Sequence, residues 1–243
     1  MGISMASQPV GKKLFNHNSD PVLSFHTRKR WGNAQVTVKT DEEGQKWVVK
    51  DFRPCSWMVR NFISRFVIAT EVRALRRLQH VDGIPGPVEI IGRWTFAYPF
   101  VDGLTLRDVR TQGIKLAKSY FESLEFLVLE MHKSGVAHLD LRNRRNILVV
   151  EGDKPVLLDF GTAISVKYLP RFIRRLLCSV DLAGAYKHWN KLSPETISPE
   201  RKQTLYKIRS LDRFWVFRGY PLQKLSHKAR RERAKSNEKL VKL

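Results

Sequence analysis

Residues 138–149 read HLDLRNRRNILV, and thirteen positions beyond Asn146 stands Asp159, inside the run VLLDFG. NILVV and PVLLDF are short apolar runs on either side of the turn-forming residues EGDK, a pattern that predicts two strands and a tight connection. Asp140 and Asn146 therefore precede the first strand, and Asp159 ends the second. Carboxylate and amide oxygens are hard ligands suited to a small divalent cation. Arginines 142, 144 and 145 surround these polar groups.

Working outward, the segments before this stretch read as a sheet with one long helix. AQVTVKT alternates like a strand, DEEG turns, and QKWVVKDF reads as its partner. Residues 57–79 are expected to be helical, with Phe62, Phe66, Val67, Leu75 and Leu78 taken as the apolar stripe. GIPGP ends that helix, and VEIIGRW and TFAYPFV read as a further strand pair. A helix over 116–133 carries Tyr120, Phe121, Leu124, Leu127, Val128 and Met131 on one face. The expected organisation is a loosely ordered start over 1–25, an antiparallel sheet lobe over 26–101, a helical lobe over 102–220, and a basic tail over 221–243. The fold class is α+β, with a five-stranded antiparallel front half.

At 243 residues, with 42% hydrophobic residues, the chain is long and apolar enough to bury a core. No run approaches the ~20 apolar residues of a membrane-spanning helix, and Cys55 and Cys178 form no CxxC pair. The start of the chain shows no secretory signal, so a reducing, cytoplasmic setting is expected. The formal net charge of +21 favours polyanionic partners: nucleic acid, an anionic membrane surface, or phosphorylated substrates.

HLDLRNRRNILV followed by LLDFG resembles the catalytic loop and metal-binding turn of the protein-kinase-like superfamily. The resemblance covers roughly residues 28–190 and implies a two-lobed fold that uses ATP and Mg²⁺. It implies that Asp159 binds Mg²⁺, that Asp140 orients and deprotonates the acceptor hydroxyl, and that Arg142 faces the γ-phosphate. The family's asparagine falls five positions after its aspartate. Here Asn146 is six after Asp140, and Asn143 is three after. Asn146 is taken as the second metal ligand because NIL opens a strand, with Asn143 as the alternative. Upstream, Lys50 in WVVK is similar to the lysine that touches the α/β-phosphates, and Glu71 to its helical ion-pair partner. In AYPFVDG, Tyr98 takes the gatekeeper position, with Pro99 and Val101 facing adenine. The phosphate-covering loop keeps only Gly32 of its glycines, with Val36 following on the strand.

Two departures bear on the substrate. Leu139 stands where the family has arginine, which implies that no phosphorylated activation loop is needed. About twenty residues separate DFG from SVDLAGAY, which resembles the central helix whose aspartate, here Asp181, braces the catalytic loop. This compactness is similar to RIO-type atypical kinases and to bacterial lipopolysaccharide core (Kdo or heptose) kinases. The expected acceptor is a hydroxyl on a lipopolysaccharide core sugar, at the cytoplasmic face of a membrane, or on a Ser/Thr of a protein. Its rivals are a RIO-like kinase with a ribosomal or nucleic-acid-associated partner, and a pseudokinase or basic scaffold.

Overall fold

The structure is a computed structural model and describes residues 23–25, 34–151 and 153–211. Gly32, the basic tail and most of the first 25 residues lie outside the described residues. A five-stranded antiparallel sheet is built from β1 (Leu23–Phe25), β2 (Gln35–Thr40), β3 (Lys46–Asp51), β4 (Glu89–Gly92) and β5 (Thr95–Pro99), in the order β1-β2-β3-β5-β4. The hairpin of β2 and β3 turns at Asp41–Gly44, where the Asp41 carboxylate accepts from the Glu43 and Gln45 amides. Strand β1, in a stretch read from sequence as loosely ordered, adds the outer edge by pairing with β2.

Helix α1 (Ser64–Leu78) continues from a π-helical turn over Val59–Ile63. Its buried positions are Ser64, Ile68, Glu71, Val72, Ala74, Leu75 and Leu78. Phe62 and Phe66, expected in the stripe, are instead 67% and 71% exposed. The physical reason is angular. At about 100° per residue, Phe66 and Leu75 lie half a turn apart and cannot share a face.

The second half begins with β6 (Leu104–Thr105), α2 (Leu106–Thr111) and α3 (Lys118–Lys133), whose expected stripe is buried from Tyr120 to Met131. Then come β7 (Val136–Ala137), β8 (Ile147–Val150), β9 (Lys154–Leu157), β10 (Ile164–Ser165), α4 (Arg171–Leu192) and α5 (Pro199–Leu211). β6, β8 and β9 make one small antiparallel sheet, and β7 and β10 another. One continuous apolar core joins the halves: Phe52, Val72 and Phe96 belong to the same cluster as Tyr120, Leu141, Phe160 and Trp189. That shared core fixes the segment around Leu141 and Phe160 against the large sheet.

Candidate active site

Strand β3 alternates, and Lys50 falls on the side that faces helix α1. Its Nζ lies 2.6 Å from Glu71 Oε1 and 2.9 Å from Asp159 Oδ1. Residues 50, 71 and 159 are thus drawn from a strand, a helix and a turn to one point. Burial opposes the lysine's charge, but Asp159 and Glu71 overcome it and hold the ammonium well above its ordinary pKa. Burial likewise pushes the Glu71 carboxyl up, against the pull of Lys50. The Lys50 charge, foremost, holds Asp159 below the usual carboxylate range. The Asp159 side chain keeps 55% exposure, so this anion faces the open cleft.

Across the cleft, Asn146 is buried. Its Nδ2 donates to the Asp140 carbonyl at 3.1 Å and to Asp140 Oδ2 at 2.9 Å. Burial is the main cause that raises the Asp140 pKa, with the repulsion of Asp159 adding to it. Asn143 sits one step further out. Its Oδ1 accepts from the Arg145 amide and its Nδ2 donates to Asn146 Oδ1. The extra residue of the loop is absorbed by a 3₁₀ turn over Arg144–Asn146, which Asn143 caps. Arg142 is half-buried, and its carbonyl accepts from Lys187 Nζ at 3.2 Å.

Two residues here hold left-handed backbone: Leu139 at φ 65° and Asp159 at φ 64°. Such φ values disfavour side-chain-bearing residues and need support from their surroundings. Asp181 of α4 supplies it for Leu139. Its Oδ2 accepts from the His138 amide at 2.8 Å, and its Oδ1 from the Leu139 amide at 2.7 Å. His138 links the two motifs: its Nδ1 accepts from the Asp140 amide, and its Nε2 donates to the Leu158 carbonyl at 3.0 Å. The Thr162 hydroxyl donates to the His138 carbonyl at 2.9 Å, and the Phe160 ring packs 4.6 Å from the imidazole.

Helix α4 reaches the loop at three successive turns, as the i, i+3, i+7 spacing of one helix face allows. Besides Asp181, these are Gly184 and His188. A Cβ at Gly184 would lie 2.9 Å from the Leu141 carbonyl carbon, so only glycine permits this approach. His188 Nε2 donates to the Leu141 carbonyl at 2.9 Å. From α3, His132 Nε2 reaches Asp181 Oδ2 at 3.0 Å. Leu139 itself packs against a buried apolar cluster of Ala137, Val166 and Leu177.

The remaining expected residues fall on the sheet. Tyr98 is buried, with its ring centroid 5.8 Å from Lys50 Nζ, and Phe96 flanks the same ammonium at 5.9 Å. Val36 lies opposite Lys50 on the neighbouring strand and is half-buried. Pro99 pairs with Trp47, and Val101 is half-buried just past the end of β5. Gly32 lies outside the described residues. Sequence reasoning did not single out Phe96, His132, Thr162, Gly184 or His188. A glycine and a histidine three and seven positions after Asp181 were the available signal for the α4 face.

No group of three or more His, Cys, Asp or Glu that could hold a metal ion exists among the described residues. The hard oxygens at hand are the Asp159 carboxylate and the Asn146 side-chain carbonyl. That donor set fits Mg²⁺, which takes one or two protein ligands and completes its octahedron with water and substrate phosphates.

No family model and no curated protein matches the chain. Among solved structures it is similar to the crystal structure of the Rio2 kinase from Chaetomium thermophilum. The TM-score is 0.54 and the identity 20%, over 74% of this chain and 61% of that one. It is equally similar to the ADP/Mg²⁺-phosphoaspartate complex of that kinase, with TM-score 0.54 and 20% identity, over 74% of this chain and 60% of the other. The chain thus spans less than two thirds of the Rio2 kinase chain. These likenesses show the fold, which is protein-kinase-like.

Proposed function

We propose that this protein transfers the γ-phosphoryl group of ATP to a hydroxyl acceptor. The observation that carries the reading is the convergence of Lys50, Glu71 and Asp159 at hydrogen-bond distance, with Asn146 holding Asp140 across the same cleft. Lys50, kept charged by two carboxylates, is the group to bind the α/β-phosphates. Asp159 and Asn146 are the groups to hold Mg²⁺, which when bound neutralises charge on the transferring phosphates. Asp140, its pKa raised by burial, is positioned to orient the acceptor hydroxyl and take its proton. Arg142 supplies positive charge beside it for the γ-phosphate. Tyr98, Pro99 and Val101 are the groups to face adenine, and Val36 the group to lie over the phosphates. A basic scaffold without chemistry would have no use for this arrangement.

For the acceptor, the net charge of +21 supports a phosphate-rich molecule. A lipopolysaccharide core sugar at the cytoplasmic face of a membrane meets that description. A Ser/Thr of a nucleic-acid-associated protein is the second reading, and the same positive charge supports it. The test incubates the full chain with Mg²⁺ and γ-labelled ATP, in parallel with membrane glycolipid and with a protein extract. Label in the lipid phase supports the first acceptor, and label in protein the second. Label in neither, at a level that Lys50→Met does not reduce, would overturn phosphoryl transfer.

A further inference from the structure

The outward face of the α1 region breaks the usual rule that large apolar groups are buried. Trp57 is 63% exposed, Met58 66%, Phe62 67% and Phe66 71%, with Ile63 beside them. Trp57 and Phe62 touch edge to face at 5.9 Å, and Phe62 and Phe66 are one helical turn apart. The patch continues across the chain. Phe66 lines a cleft together with Thr70, Arg73, Ile164 and Ser165, so the start of α1 meets the segment after DFG. That segment carries two more exposed aromatics, Tyr168 and Phe172. Nothing among the described residues covers this surface.

Its charge is one-sided. Between Phe52 and Val81 the sequence holds one carboxylate, Glu71, and that one is 1% exposed against Lys50. Between Phe160 and Val180 it holds none, while Lys167, Arg171, Arg174 and Arg175 are all exposed. Arg65 and Arg73 add exposed cations on α1 itself. Projecting aromatic and aliphatic groups set among cations, with no exposed carboxylate, form the surface that binds an anionic bilayer interface. The side chains enter the headgroup–acyl boundary, and each nearby Arg or Lys adds electrostatic attraction to an anionic surface. Nucleic acid would satisfy the cations but would leave Met58, Phe62, Ile63 and Phe66 without a hydrocarbon environment. A soluble protein partner would have to combine a hydrophobic groove with acidic groups on both segments.

We infer that the outer face of α1, together with the segment after DFG, docks onto an anionic lipid bilayer. The docking is independent of phosphoryl transfer, because it uses none of the residues of the cleft. The test measures partitioning of the full chain onto vesicles of pure phosphatidylcholine and of an equal mixture with phosphatidylglycerol. Phe62→Ser/Phe66→Ser should weaken binding to the mixed vesicles by about tenfold or more. Arg65→Gln/Arg73→Gln should weaken it further at low salt than at high salt. Both pairs of residues are exposed, so thermal unfolding and ATP binding should match the parent and separate lost docking from lost folding. Bromolipids in the mixed vesicles should quench a fluorescence component that Trp57→Phe removes. Equal vesicle binding by parent and Phe62→Ser/Phe66→Ser would overturn the proposal. So would absence of binding by the parent, or a patch-dependent self-association or RNA binding in its place.

Discussion

The loop over residues 138–146 has a front edge and a back edge, and they are built on different terms. At the front, Asp140, Asp159 and Lys50 are ionisable groups, each with a neighbour that tunes its charge, and Asn146 donates to Asp140. At the back, Asp181, Gly184, His188 and His132 are buried groups whose partners are backbone atoms or one another. The front edge holds the groups proposed for the chemistry, whereas the back edge fixes the position of the front. Substitutions on the two sides should therefore separate turnover from stability.

The largest effect belongs to the front. Asp140→Asn should lower kcat by roughly a thousandfold, about 4 kcal/mol in the barrier, since it removes the proton acceptor. Its unfolding midpoint should match the parent. An Asp140→Asn protein that unfolds early would erase the division between the edges.

The back edge comes next. Asp181→Ala leaves the His138 and Leu139 amides and the His132 ring without their buried acceptor. Stability should fall by about 3 kcal/mol or more in chemical denaturation. Stability unchanged within error would show that Leu139 keeps its left-handed backbone without this support.

The two histidines of the back edge sharpen the comparison further, because their environments push in opposite directions. Burial disfavours charge on His132, but its bond to Asp181 and the contact with Cys178 prevail and push it up to about 9. Its ordinary value is 6.5, so its contribution is fully present below that pH and is lost as pH rises through about 9. Burial also lowers His188, to about 4, where Lys187, Arg144 and Lys191 add repulsion. Its contribution is present above 6.5 and is lost as pH falls toward 4. Each limb should carry about 3 kcal/mol. His132→Gln should flatten the alkaline limb of a stability–pH curve and His188→Gln the acid limb. Exchange of the two limbs between the variants would contradict the assignment.

The smallest effect tests the loop's extra residue. Asn146→Ala should lower kcat/KM by about a hundredfold, and Asn143→Ala by no more than about tenfold, as expected for a turn cap. The reverse order would move the metal-holding role to Asn143.

The same division explains what could be read from the sequence. The meeting of Lys50, Glu71 and Asp159 was legible because the resemblance places carboxylate and ammonium groups at nearly fixed spacing. Lys50 and Glu71 stand 21 positions apart and still meet at 2.6 Å. Asp181 was found through the same resemblance. His132 was not, because many side chains can brace a buried loop and a lone histidine on an apolar helix carries no signal; His188 was marked only by its spacing from Asp181. The stripe of α3 was read correctly because one uninterrupted helix keeps its period. Around α1 the reading failed: the pattern was laid across two faces of one helix, and Phe62 and Phe66 were placed in the core. Strand β1 is three residues long, too short to give a periodic pattern.

The most direct test of the cleft as an Mg²⁺-dependent phosphotransfer centre compares the parent with Asp159→Asn in ATP turnover and in ATP binding, with and without Mg²⁺. The account predicts that the parent binds ATP more tightly with Mg²⁺ and turns it over. The variant should keep its fold, lose the Mg²⁺ enhancement, and fall by at least about a hundredfold in turnover. Unchanged Mg²⁺-dependent turnover in Asp159→Asn would contradict it.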